Sequence, residues 1–132
     1  MDLFLGQWKL KKEVHFDNFL KFSGVPWIMR RISGHNKINL SIEKLNESYI
    51  KTVTSPFFNS EEIIKLDNQY REYDKSFKKF RIEENIVYTD IKYKPDIFWQ
   101  EEVFIKDGFL ITKYIWIKDN ERKLAIHFFE RR

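Results

Sequence analysis

Residues 97–129, IFWQEEVFIKDGFLITKYIWIKDNERKLAIHFF, contain the pattern that decides the fold. Apolar and polar side chains alternate along 97–105, 109–117 and 124–129, and this period of two is typical of β-strands with one buried face. Two segments rich in turn-forming residues, KDG at 106–108 and KDN at 118–120, interrupt the alternation. The stretch therefore predicts three antiparallel strands joined by tight hairpins.

The same alternation recurs earlier in the chain, at 4–12, 37–43, 49–55, 59–66, 69–73, 78–82 and 86–93. About ten short strands with hairpin spacing predict an all-β fold, an antiparallel up-and-down meander that closes into a barrel, because closing it removes its exposed edges. A barrel of about ten strands encloses more space than its own side chains fill. A central cavity is therefore expected.

Two short helices are predicted between the first two strands. Phe16, Phe19 and Leu20 share one face of a helix that ends near Gly24, and a second helix runs over 26–34, from Pro26 to Gly34. Helices of about two turns are not stable alone. This helix-turn-helix, at about 15–34, is expected to pack across the barrel mouth as a lid.

Composition narrows the function classes. The 132 residues suit a single domain (1–132), and 17% aromatic residues exclude a disordered chain. The absence of cysteine removes disulfides and thiolate sites, and a net charge of +4 is too small for a dedicated nucleic-acid binder. No apolar run approaches a membrane helix, and the first residues lack a secretion-signal pattern. We expect a cytoplasmic monomer that binds no nucleic acid.

Catalytic and metal-binding patterns are missing from the sequence. The three histidines, His15, His35 and His127, have no zinc-site spacing. The paired carboxylates at 61–62 and 101–102 are adjacent, so on strands they point to opposite faces and cannot act together. We therefore expect no enzyme activity, no metal and no cofactor.

Several segments resemble the intracellular lipid-binding proteins, which comprise the fatty-acid-binding and cellular retinoid-binding proteins. FLGQWKL at 4–10, FDNFLK at 16–21 and GVPW at 24–27 resemble the opening of that family. SPFFNSE at 55–61 is similar to its STFKNTE stretch, and FFER at 128–131 to its xYEK ending. The resemblance implies an all-β, ten-stranded antiparallel up-and-down β-barrel of the lipocalin-like (calycin) kind under two helices. Such a barrel carries long-chain fatty acids or other lipids through the cytosol, without a cofactor or a chemical step.

The head-group anchor departs from the family pattern. Members that bind fatty acids hold the carboxylate with R-x-Y in the last strand, which falls on His127 to Phe129, and with a second Arg that falls on Val103. Neither His nor Val reproduces a bidentate Arg–carboxylate pair. His127 is either a replacement polar anchor or a hydrogen-bonded barrel histidine without a ligand role.

Strand parity adds two charged candidates. If His127 and Phe129 face inward, Glu101 and Val103 face inward on an earlier strand, and counting from Phe57 gives Tyr49 and Lys51 on another. A buried carboxylate needs a partner or a proton. Lys51 then either pairs with Glu101 or meets a ligand head group. The alternative is a one-residue bulge that turns either charge to solvent.

Further candidates line the expected cavity and the lid. Ligand contact or plain core packing is expected for Tyr114, Trp116, Phe16, Met29 and Phe57. The basic residues Lys21, Arg30 and Arg31 lie on the lid helices, where they either touch anionic membranes transiently or form an ordinary solvated face.

Three functions remain open. The first is a non-enzymatic carrier of a long-chain fatty acid or similar hydrophobic ligand, which the resemblance favours. The second is a carrier of a neutral ligand such as a retinoid, which the missing arginines favour. The third is an interaction module whose cavity is filled by its aromatic side chains.

Overall fold

The computed structural model describes residues 1–24, 38–55, 59–73, 76–93 and 96–132. These residues form a short 3-10 turn at Asp2–Phe4, one α-helix and ten strands. The helix is α1 (Phe16–Phe22), and the strands are β1 (Gly6–Val14), β2 (Asn39–Leu45), β3 (Ser48–Thr54), β4 (Asn59–Ile64), β5 (Arg71–Tyr73), β6 (Ser76–Glu83), β7 (Ile86–Tyr93), β8 (Ile97–Lys106), β9 (Phe109–Lys118) and β10 (Glu121–Arg131).

All ten strands lie in one antiparallel sheet, ordered β4-β3-β2-β1-β10-β9-β8-β7-β6-β5. Successive strands are neighbours, and β1 pairs with β10, so the predicted up-and-down barrel is confirmed. Among the described residues, β4 and β5 share no main-chain ladder. Closure by main-chain hydrogen bonds is therefore incomplete, and side chains bridge the opening: the Tyr73 hydroxyl donates to the Ile63 carbonyl at 2.5 Å, and Lys78 reaches Glu62.

Tight hairpins form where the sequence predicts them. Asp107 and Gly108 have φ of 54° and 81°, and Asp119 and Asn120 have φ of 54° and 63°. Two successive residues with positive φ match the backbone twist of the flanking strands, and Asp, Asn and Gly tolerate this conformation best. These turns fix the register of β8, β9 and β10, so that alternate residues of all three strands face the interior.

The first lid helix is α1. It starts after His15, whose φ of 56° is left-handed, and it is followed by Gly24 with φ of 89°. Its Phe19, only 6% exposed, packs against Tyr114 and Trp116 of β9 with ring centroids 4.7 and 5.6 Å away. The amphipathic pattern thus predicts this contact. The second predicted helix, at 26–34, lies outside the described residues.

The opposite end of the barrel is sealed around Trp8, which is 1% exposed. Its indole nitrogen donates to the Phe4 carbonyl at 3.0 Å. The Arg131 guanidinium lies 4.1 Å from the Trp8 ring and donates to the carbonyls of Leu3 and Leu5, both at 2.9 Å. We call this end the base and the end covered by α1 the mouth.

Candidate ligand-binding interior

The barrel interior contains an upper chamber of about 220 Å³ beneath α1. Its apolar side chains come from the helix and the barrel wall, and five polar side chains join them. The apolar ones are Phe16, Leu20, Ile38, Leu40, Val53 and Phe129, and the polar ones are Lys51, Ser60, Thr112, Tyr114 and His127. An apolar chamber with a few convergent polar groups is typical of a small-molecule site.

A lower chamber of about 30 Å³ lies next to it, with Leu40, Lys51 and Thr112 common to both linings. This volume is enough for about one water molecule. Four charged side chains line it: Lys51, Glu62, Lys78 and Glu101. Larger depressions of about 480 and 610 Å³ lie beside Trp116 but include no residue of either chamber's lining, so we place the candidate site inside the barrel.

Seven of the eleven predicted ligand-contact residues line these chambers. The upper chamber is lined by Phe16, Tyr114, His127 and Phe129, the lower one by Glu101 and Val103, and both by Lys51. The linings do not include Tyr49, whose hydroxyl donates to Asp2 at 2.7 Å, or Trp116, which packs under α1. The predicted residues Met29, Phe57, Arg30 and Arg31 lie outside the described residues.

The two charged candidates, Lys51 and Glu101, point into the barrel as the alternation along their strands predicts. Lys51 stands opposite Glu62 in the β3–β4 ladder, and Glu101 stands opposite Tyr114 in the β8–β9 ladder. Both side chains line the interior. The alternative of a bulge that turns them to solvent is therefore wrong, because both ladders run without a register shift at these positions.

The lower chamber is an ion-pair cluster. The Lys78 ammonium donates to the Glu62 carboxylate at 2.6 Å, and the Trp99 indole donates to Glu101 at 3.0 Å. Burial alone would raise the pKa of the Glu62 carboxyl, but the charges of Lys51 and Lys78 outweigh it and lower the pKa. Burial likewise opposes the charge of Lys78, yet Glu62 and Glu101 raise its pKa. Glu62 and Lys78 are therefore ionised at neutral pH.

His127 faces the interior with only one of its ring nitrogens hydrogen-bonded. Its Nδ1 lies 3.1 Å from the Tyr114 hydroxyl, whereas its Nε2, 3.4 Å from the Glu13 carboxylate, has no hydrogen-bond partner among the described residues. The Phe16 ring covers it, with centroids 3.9 Å apart, and the residue is 3% exposed. Burial, and then the nearby carboxylates Glu101, Glu13 and Glu62, raise the pKa of Tyr114 well above its ordinary value, so the hydroxyl stays protonated.

Three charged interior residues were missed by sequence reasoning. Glu13 faces inward because the β1–β10 register shifts between Leu10 and Lys12, which places Glu13 opposite His127. Regular alternation predicts Glu13 on the outside, and a bulge has no clear sequence signal here. Glu62 and Lys78 could have been found by extending to β4 and β6 the parity count that identified Lys51.

Two other kinds of feature are absent from the described ranges. These ranges contain no group of three or more His, Asp or Glu side chains that could hold a metal ion. No described helix combines the length and the apolar character that crossing a bilayer requires.

Comparisons with known proteins agree with this architecture. No family model matches the chain. A fatty acid-binding protein homolog of Echinococcus granulosus is 34% identical over 73 residues, 54% of this chain, and the match spans only 55% of that relative. A fatty acid-binding protein of Clonorchis sinensis is 26% identical over 96 residues, 73% of this chain and 68% of the relative.

A solved structure matches over the whole chain. The Schistosoma mansoni fatty acid binding protein in complex with arachidonic acid superposes with a TM-score of 0.87 at 18% identity, over 100% of this chain and 98% of that one. The chain thus shares with that structure the fold of a ten-stranded antiparallel barrel with a helix over its mouth. Together with the two sequence matches, this confirms the resemblance to the intracellular lipid-binding protein family.

Proposed function

We propose that the protein is a non-enzymatic carrier that binds a fatty acid or similar hydrophobic ligand in the upper chamber. The observation that carries the proposal is an apolar interior space between α1 and the barrel wall, with a few polar side chains in its lining. The names of the two relatives, both fatty-acid-binding proteins, support the same ligand class. The proposed transport needs no bond to be made or broken.

The size of the chamber limits the ligand. Ligand sites usually measure about 300–1,000 Å³, whereas the upper chamber has about 220 Å³. A long-chain fatty acid therefore requires side chains to move, and the side chains in its way are Phe16 and Leu20 of α1. A shorter or flatter ligand needs less movement.

A neutral ligand is the second candidate. Val103 and His127 stand where the resemblance places arginines, and the Nδ1 atom of His127 already contacts the Tyr114 hydroxyl. A hydroxyl or amide head group would need no full counter-charge. The third candidate, a filled barrel used for interaction, is favoured by the rings of Phe16, Phe19 and Tyr114 packed at the mouth.

Several further properties are part of the proposal. We place the protein in the cytoplasm as a single-domain monomer (1–132) without a nucleic-acid partner. Lys21 is exposed on α1, beside Lys118 and Lys123 around one outer depression, and this supports transient contact with anionic membranes during ligand transfer.

Native mass spectrometry of the protein purified from cells, with extraction of any bound molecule, tests the function. A matched pair of variants locates the site: Val53→Trp fills the upper chamber, while Thr52→Trp adds the same bulk on the outward face of β3. We expect a bound lipid in the unmodified protein and in Thr52→Trp but not in Val53→Trp. No bound lipid and no uptake of a fluorescent lipid probe would contradict the proposal.

A further inference from the structure

Lys51 occupies an unusual position in the barrel. It lies on β3 at the junction of the two chambers, next to the apolar Leu40 and Val53. It faces Glu62 across the β3–β4 ladder, yet Glu62 turns its carboxylate to Lys78 at 2.6 Å. No hydrogen bond or ion pair joins the Lys51 ammonium to another of the described residues.

Two neighbouring interior carboxylates already accept a hydrogen bond: Glu62 from Lys78, and Glu101 from the Trp99 indole. His127 contacts the Tyr114 hydroxyl through Nδ1, while its Nε2 has no hydrogen-bond partner among the described residues. The charge of Lys51 acts on Glu62, whose pKa it lowers, but the Lys51 ammonium donates no hydrogen bond to the described residues. An ammonium beside an apolar space without a hydrogen-bond acceptor favours an acceptor that arrives with the ligand. The side chains of Ser60 and Thr112 line the same chamber and supply hydroxyl donors.

We propose that Lys51 is the head-group anchor and that it binds the single carboxylate of an acyl ligand. This inference rests on the proposed function and adds the residue and the ligand charge to it. The head group then lies against β3 rather than at His127 and Val103, the positions that the resemblance implies. The acyl tail extends under α1, between Phe16 and Phe129.

Two carboxylates oppose this arrangement. Glu62 and Glu101 line the lower chamber beside Lys51 and repel a second anion. Their donors, Lys78 and Trp99, reduce this repulsion without removing it. Removing the charge of Glu101 should therefore strengthen binding of a carboxylate without strengthening binding of an uncharged head group.

The experiment measures displacement of a fluorescent lipid probe by decanoate, decanol and decylamine, which share a tail and differ in head group. Lys51→Met should weaken decanoate binding about tenfold or more, as expected for loss of a charged hydrogen bond, and leave decanol binding unchanged. Lys51→Arg should retain decanoate binding. Glu101→Gln should increase decanoate affinity, and Lys65→Met, a matched exposed lysine on the same side of the barrel, should change nothing.

Each contrary result has a definite meaning. Equal loss of decanoate and decanol in Lys51→Met would show a structural role and overturn the inference. Tighter binding of decanol or decylamine than of decanoate by the unmodified protein would also overturn the inference. It would leave the proposed carrier function intact. If none of the three ligands displaces the probe, or no probe binds, the proposed function itself fails.

Discussion

Replacing Lys78 by Met tests what holds the barrel closed between β4 and β5. Among the described residues these strands share no ladder, and the Lys78–Glu62 ion pair joins β6 to β4 across the opening. The two side chains are only 21% and 18% exposed. Lys78→Met therefore leaves the Glu62 carboxylate half-buried without its hydrogen-bond donor.

The expected loss follows from the burial of the pair. Removing one partner of a fully buried ion pair costs about 3–5 kcal/mol, and partial exposure reduces this to about 2–3 kcal/mol. Replacing both partners, as in Glu62→Leu with Lys78→Met, removes the unpaired charge as well as the bond. We expect the double variant to lie within about 1 kcal/mol of the unmodified protein.

Urea unfolding followed by tryptophan fluorescence measures the free energies of unfolding of the two single variants and the double variant. Lys79→Met is the matched control, because Lys79 is the next residue on β6 and its ion pair with Asp90, at 3.6 Å, is more exposed. Lys79→Met should lower the free energy of unfolding by at most about 1 kcal/mol. Additive losses in the double variant, with no coupling between Lys78 and Glu62, would refute the reasoning.

The pH dependence of the same pair has a definite sign. The pKa of Glu62 is lowered in the fold, so its contribution is complete above the unfolded value of about 4.3 and is lost as pH falls through the folded pKa. The pKa of Lys78 is raised, so its contribution is complete below about 10.4 and is lost as pH rises through the folded pKa. Acid denaturation should be less steep in the double variant.

Other predictions concern the lid, the base and an exposed ion pair. Phe19→Ala should lower the free energy of unfolding by about 3–5 kcal/mol, measured by urea titration, because it empties the space under α1. Arg131→Gln should lower the free energy of unfolding by about 2 kcal/mol, because it removes two hydrogen bonds to main-chain carbonyls. Replacing the exposed Arg122 by Gln should leave the free energy of unfolding almost unchanged in the same assay. The hydrogen bond from Arg71 lowers the pKa of Asp67 to about 2, and NMR titration of Arg71→Gln should show that pKa returning toward its ordinary range.

The strands were predictable because polar and apolar residues alternate and the turns carry Asp, Asn and Gly. The strand β5 is shorter than predicted: it was expected over 69–73 and is observed at Arg71–Tyr73. Asp67 explains the shortening, since its carboxylate accepts from the Gln69 main-chain nitrogen and from the Arg71 side chain. These local hydrogen bonds compete with the β ladder, and the alternation pattern does not record them.

The interior site was predictable wherever the alternation is regular. Lys51 and Glu101 were assigned inward by parity alone, and both line the chambers. Glu13 was not assigned inward, because a single extra residue in β1 reverses the inward and outward alternation of the residues that follow it in the strand. The pairing of Lys78 with Glu62 depends on how the ends of the sheet approach each other, and no spacing within one strand contains that information.

The charged side chains of the lower chamber and the aromatic side chains at the mouth together limit which ligands the barrel can hold. Lys78, Glu62 and Glu101 occupy the lower chamber and leave room for about one water molecule, so a ligand tail cannot extend toward the base. At the other end, Phe16 covers His127 and lines the upper chamber, so a longer tail must displace α1 rather than His127. Chain length and lid movement are therefore coupled: binding of longer acids should require opening of α1, and shorter acids should bind with the helix in place.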